Sequence, residues 1–140
     1  METTVQTSGH AATAADDYYS HADQSFGECR QRLISYLVKL NHALSDDMPD
    51  LADALLSRFC DSLVDYLSAG HFRVFQRMSL PADAYAVIDA TTQAGVAFND
   101  RFDELRQAGP TEVRTALEQV ARVLSARFEI EDELLSAEVR

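Results

Sequence analysis

Apolar residues in this chain return at steps of three and four along most of its length, and that rhythm constrains the fold more than any other feature. Leu33, Leu37, Leu40 and Leu44 mark one such seam, and Val113, Leu117, Val120, Leu124, Phe128 and Leu134 or Leu135 mark another. These steps keep the apolar side chains on one face of a helix, whereas a strand would throw them alternately to both faces. No strand pattern and no internal repeat interrupts the rhythm. The breaks fall where the backbone demands them, at Pro49, at Pro81 and at Gly109-Pro110.

Four segments follow from those breaks. Asp16 or Asp17 is suited to cap a first helix that ends near residue 45, with Gly27 interrupting it early. Pro49 suits the first turn of a second helix, expected to reach about Met78. Tyr85, Val87, Ile88, Val96, Phe98, Phe102 and Leu105 give a third, less regular helix, and Pro110 opens a fourth that runs to the end of the chain. Amphipathic helices of roughly 25 to 30 residues joined by short links run in alternating directions. The expected fold is therefore all-α, an antiparallel up-and-down four-helix bundle over residues 16–140, with residues 1–15 a flexible, disordered N-terminal tail. At 140 residues and 46% hydrophobic composition, a single domain can bury its core without disulfides.

Charge narrows the class of function. The chain carries 23 acidic against 12 basic residues, a net charge of -11, which repels nucleic acid and anionic membranes and attracts basic partners. No segment has the roughly 20 apolar residues of a membrane span, and METTVQTSGH lacks the basic start and apolar run of a signal peptide. Cys29 and Cys60 form no CxxC pair, so reduced thiols and a cytoplasmic setting are the expectation.

The second helix sorts its residues most sharply. With 100° between successive positions, Leu55, Leu56, Phe59, Cys60, Leu63, Val64, Tyr66, Leu67, Gly70, His71, Val74 and Met78 span about half the circumference and form the core face. Gly70 falls near its middle, where a neighbouring backbone has room to approach. Opposite lie Asp61, Asp65, Ser68 and Phe72, spaced i, i+4, i+7 and i+11 in one straight stripe. A lone exposed Phe requires no function. The sharper reading makes Phe72 an aromatic anchor for a partner's pocket, with the two carboxylates beside it meeting Arg or Lys.

Rival chemistries are weaker. Cys60 and His71 share a bearing but lie eleven residues apart, about 16 Å along the axis, so neither activates the other. They read as a core Cys and a core-edge His. Asp17-x-x-x-His21 and His42-x-x-x-Asp46 have helical ligand spacing, yet the Glu-x-x-His pair of di-iron bundles does not occur, so no metal and no other cofactor is expected. The acidic cluster Glu129, Glu131, Asp132, Glu133 and Glu138 reads as solvated surface. The chain is expected not to be an enzyme.

The run Phe59-Cys60-x-Ser62-Leu63-Val64-Asp65-Tyr66-Leu67-Ser68-Ala69-Gly70-His71-Phe72 resembles the hallmark of the Rsd/AlgQ family, bacterial anti-sigma factors that include the regulator of sigma D. Ala126-Arg127-Phe128-x-x-Glu131-Asp132-x-Leu134 is similar to that family's last helix. The family's first-helix Leu-x-x-x-Trp-Leu run corresponds to Leu33-Ile34-Ser35-Tyr36-Leu37-Val38, and this chain has no Trp. The resemblance implies a helical bundle that binds region 4 of the primary sigma factor, keeping it from core RNA polymerase and from promoter DNA. It assigns the contact to Asp65, Ser68 and Phe72, with Asp61 added from the stripe. The partner is then a protein, with no direct nucleic-acid or membrane binding, and the free chain is expected to be a monomer or weakly self-associating. The alternatives are a helical adaptor for another basic protein and a metal-binding four-helix bundle.

Overall fold

The computed structural model describes residues 10–71 and 80–139, with side chains described over 25–71 and 80–136. Among the described residues the chain is all helix: α1 (His10–Ser45), α2 (Pro49–Ala69), α3 (Ala82–Asp100), α4 (Phe102–Gln107) and α5 (Pro110–Val139). The long helices touch in a ring, α1 against α2, α2 against α3, α3 against α5 and α5 against α1, with α1 and α2 sharing the most extensive contact. The seams read from the sequence lie inside that ring: Leu33, Leu40, Phe59, Leu63, Tyr66, Leu105 and Leu124 are fully buried. No helix among the described residues is long and apolar enough to cross a membrane.

Several boundaries differ from the sequence expectation. Helix α1 begins at His10 rather than near Asp16, so residues 10–15, expected as tail, carry helical backbone, and Gly27 does not interrupt it. A Cβ at Gly27 would meet nothing within 4 Å, so this glycine stands in a helix without packing reason. Helix α2 is α-helical to Ala69, with Gly70 still right-handed and the chain passing into a wider turn at 70–71, and the expected continuation to Met78 lies outside the described residues. The expected third helix is two: the backbone breaks at Arg101, whose φ of -90° and ψ of 6° depart from the helix. Asn99 and Asp100 precede that break, and such side chains compete with the helical backbone. Here Asn99 Nδ2 donates instead to the Cys60 carbonyl of α2, at 3.3 Å.

The turn between α1 and α2 is a capping motif built without glycine. Met48 N–H donates to the Ala43 carbonyl at 3.0 Å and Asp47 N–H to that of Leu44 at 3.4 Å, and Asp47 takes a positive φ of 53°. This is the Schellman arrangement, in which a left-handed residue lets the chain turn back onto its own last carbonyls. Arg114 of α5 reaches across to donate to the Leu44 carbonyl at 2.7 Å, tying the turn to the far helix.

Helices α2 and α3 pack closely where a side chain is missing. A Cβ on Gly95 of α3 would lie 2.6 Å from Leu67 Cδ1 and 3.6 Å from Leu63 Cδ1. Sequence periodicity pointed to Gly70 for such an approach, and Gly70 is buried. At Gly95 the missing side chain lets α3 settle against the Leu face of α2. Just beyond, Phe59 and Phe98 meet edge to face, with ring centroids 5.4 Å apart.

Candidate functional site

Helix α2 divides along its length as its periodicity requires. Leu56, Phe59, Leu63 and Tyr66 point inward, and Asp61, Asp65 and Ser68 are all exposed on the opposite side. The first three members of the expected stripe therefore share one solvent-facing line, and Phe72 lies outside the described residues. Among the described residues neither Asp61 nor Asp65 is held in an ion pair, and both are exposed. Two residues counted as core from the sequence sit at the edge of this surface instead. Val64 is 50% exposed, and His71 is exposed rather than at the core edge.

Behind the stripe, the inner face of α2 carries a polar group that hydrophobic pattern did not reveal. The Tyr66 hydroxyl donates to Glu131 Oε2 of α5. Arg127, one turn earlier on α5, donates to the same oxygen from Nε at 2.9 Å, and its Nη1 reaches the Ile88 carbonyl at 3.3 Å and Thr92 Oγ1 at 3.0 Å on α3. From α1, Arg30 stands 3.6 Å from the other Glu131 oxygen and clamps Asp132 with bonds of 2.7 and 3.2 Å. Phe26 stacks on Tyr66, Phe128 meets it edge-on, and the Arg30 guanidinium lies 4.6 Å over Phe128. One cluster thus joins α1, α2, α3 and α5.

The electrostatics follow from burial. Glu131 is 0% and Arg127 1% exposed, so each charge has lost its water and depends on the other. Burial pushes the Glu131 carboxyl above the usual carboxylate range, outweighing the hydroxyl and the two guanidinium groups that favour its charged form. Burial, and then the charge of Glu131, push the Tyr66 phenol up. At the rim, the bond from Arg30 holds Asp132 below its ordinary value. Partial burial pulls Arg30 down, but its bonds and charge contacts with Asp132 and Glu131 prevail and leave it raised.

This corrects the reading of the acidic cluster as solvated surface. Glu129, Asp132 and Glu133 are exposed as that reading has them, Asp132 with Arg30 clamped on it, and the side chain of Glu138 lies outside the described residues, but Glu131 is at the centre of the core. The signal was present in the sequence. Leu117, Val120, Leu124, Arg127 and Glu131 continue one unbroken series of threes and fours, which places both charged residues on the inward seam of α5. A purely hydrophobic count skips them. The structure also brings together the two segments that carry the family resemblance: Tyr66 of the first and Arg127, Phe128, Glu131 and Asp132 of the second meet in this cluster.

Other chemistry finds no support in the geometry. Cys60 is buried and Cys29 half-buried, both as free thiols, and burial followed by the charge of Asp61 pushes the Cys60 thiol up to about 12. Such a thiol stays protonated and unreactive at neutral pH. Among the described residues no group of three or more His, Cys, Asp or Glu is placed to hold a metal ion.

Among the described residues the chain is all-helical, with an exposed line of Asp61, Asp65 and Ser68 on a helix whose inner face is tied to three other helices. Comparison with known proteins gives that description a class, the regulators of the sigma(70) subunit of RNA polymerase: the family profile "Regulator of RNA polymerase sigma(70) subunit, Rsd/AlgQ" matches residues 19–138. The chain belongs to the Rsd/AlgQ family. It is similar to a protein named "Regulator of sigma D" from Yersinia enterocolitica, 35% identical over 99 residues that cover 61% of this chain and 59% of the relative. The protein of the same name from Yersinia pseudotuberculosis is 36% identical over 94 residues, 57% of this chain and 56% of the relative. One from an Enterobacter species is 32% identical over 98 residues, 61% of this chain and 59% of the relative. The matched segments thus span somewhat more than half the length of these relatives. No solved structure matches the chain.

Proposed function

We propose that this chain is an anti-sigma factor, a bacterial cytoplasmic protein that binds region 4 of the primary sigma factor and withholds it from core RNA polymerase. It acts by occupation of a surface and carries out no catalysis. The observation that carries this reading is the solvent-facing line of Asp61, Asp65 and Ser68 on α2, in a chain whose family is described by its regulation of sigma(70). Phe72, four positions after Ser68 in the sequence, is the proposed aromatic anchor. The scaffold in this reading is an antiparallel four-helix bundle acting as one domain, with the segment before Asp16 outside its packed core. The names of the relatives, regulators of sigma D, agree with a sigma-factor partner.

The physical case is complementarity. Region 4 carries a helix-turn-helix that reads DNA through a basic surface, and a protein with net charge -11 is drawn to such a surface and can cover it. Open carboxylates at Asp61 and Asp65 meet Arg or Lys there through charge-assisted hydrogen bonds. Purified chain should co-elute with isolated region 4 of the cognate primary sigma factor at moderate salt. Asp65→Ala and Phe72→Ala should abolish that complex while leaving the helical circular dichroism intact. Absence of a complex with the unmodified chain would sink the reading.

A further inference from the structure

Three large apolar residues of α2 and α3 are exposed in the folded chain: Val64 on α2 (50%), and Tyr85 (60%) and Val96 (52%) on α3. Contacts between the two helices show how the valines relate. Cys60 lies opposite Asn99, and Leu63 and Leu67 lie opposite Gly95. Val64 and Val96 each follow one of these seam residues by a single 100° step, and because numbering rises on α2 as it falls on α3, the two steps turn toward the same, outer side. They stand level with each other across the open side of the α2–α3 seam.

Acidic residues surround that apolar pair. Asp61, Asp65 and Ser68 form the exposed border on α2. On α3, Asp89 and Asp100 follow Tyr85 and Val96 along the same outward face and are likewise exposed. The whole of α3, Ala82–Asp100, contains no Lys or Arg, and Arg101 just beyond it is engaged by Glu104 at 3.3 Å. At the level of Val64 and Val96 the two helices therefore present one surface, apolar at its centre and negative at both borders, and Gly95 keeps them close enough for a single ligand to touch both.

We propose that the sigma-binding site is a two-helix surface, with the outward face of α3 (Tyr85, Asp89, Val96 and Asp100) as its second wall. The occupant is a basic amphipathic helix of the sigma(70) subunit lying along the seam, its apolar stripe on Val64 and Val96 and its Arg and Lys side chains reaching the carboxylates on either side. An apolar centre with a charged rim is how a helix docks in a groove, and α3 supplies half of both. This inference rests on the anti-sigma reading and names further residues of the same interface.

The test measures binding of the full chain to region 4 of the cognate sigma(70) subunit by calorimetry, with thermal melts to verify folding. Val96→Asp, and the double variant Asp89→Lys with Asp100→Lys, should each weaken binding by roughly tenfold or more without lowering the melting temperature. Glu118→Lys, an exposed charge reversal on α5, should change it by less than about threefold, since it alters net charge away from the seam. If Asp61→Lys and Asp65→Lys weaken binding while the α3 variants bind like the unmodified chain, the second wall is wrong and the α2 site stands. If Glu118→Lys weakens binding as much as the α3 variants do, the effect is general charge attraction and the second wall is again wrong. If the unmodified chain does not bind, the anti-sigma reading falls and this inference falls with it.

Discussion

Replacing Arg127 with Met isolates the most consequential interaction in the fold. The side chains are similar in volume, so little packing is lost, but the hydrogen bonds to Glu131, to the Ile88 carbonyl and to Thr92 go. Glu131 is then left fully buried with only the Tyr66 hydroxyl and a more distant Arg30, 3.6 Å away, beside its charge. Removing one partner of a buried ion pair costs about 3–5 kcal/mol, against a typical total stability of about 5–15 kcal/mol. With a urea dependence of about 2 kcal/mol per molar, the unfolding midpoint should fall by about 1.5–2.5 M at unchanged slope. The double variant Arg127→Met with Glu131→Met removes both charges, and should cost at least about 1 kcal/mol less than the sum of the single changes. Its residual cost includes the orphaned Tyr66 hydroxyl, about 1–3 kcal/mol. Urea titrations followed by circular dichroism give all three values. An Arg127→Met protein within about 1 kcal/mol of the parent, or single changes that simply add, would refute a desolvated, mutually dependent pair.

Other expectations follow from the same geometry. Because the Glu131 carboxyl is raised in the folded chain, its stabilising contribution is present below its unfolded value of about 4.3 and is lost as pH rises through the folded value, whereas depressed Asp132 contributes above its unfolded value and loses that as pH falls. Glu131→Gln removes only the first effect, so its loss of stability as pH rises above the ordinary carboxylate range should be smaller than the parent's in urea titrations; an unchanged loss contradicts the assignment. Gly27→Ala should raise stability by about 0.5–1 kcal/mol, because the new methyl meets nothing and the helix loses a flexible point. Gly95→Val should lower stability by about 1–3 kcal/mol by driving α3 off Leu67, and equal melting temperatures for the two variants would contradict that contrast. With its thiol raised to about 12, Cys60 should resist a thiol reagent at about pH 8 in the folded protein and react once urea unfolds it, a two-step titration that Cys60→Ser abolishes.

The helical class, the seams and the outward direction of Asp61, Asp65 and Ser68 were legible in the sequence, because each depends on bearings around a single helix. A 100° step between neighbours is a local property and survives whatever the helix packs against. The positions of the breaks at Pro49, Pro81 and Gly109-Pro110 were legible for the same reason, since a missing N–H or a special φ acts within one turn.

What required tertiary structure is everything that joins one helix to another. The break at Arg101 accompanies an Asn99 side chain that finds its acceptor on α2, and nothing in residues 99–101 names Cys60 as that acceptor. The exposure of Val64 and Val96 depends on where the α2–α3 seam falls, with Gly95 against Leu63 and Leu67. Arg127 and Glu131 had the right periodicity for the core from the start. Whether a charged pair can occupy the core depends on partners 30 to 100 positions away in the chain, Arg30, Tyr66, Ile88 and Thr92, and only folding brings them within hydrogen-bonding reach. Local periodicity thus determined each side chain's bearing around its own helix, and the tertiary structure decided which bearings are covered and what they meet there.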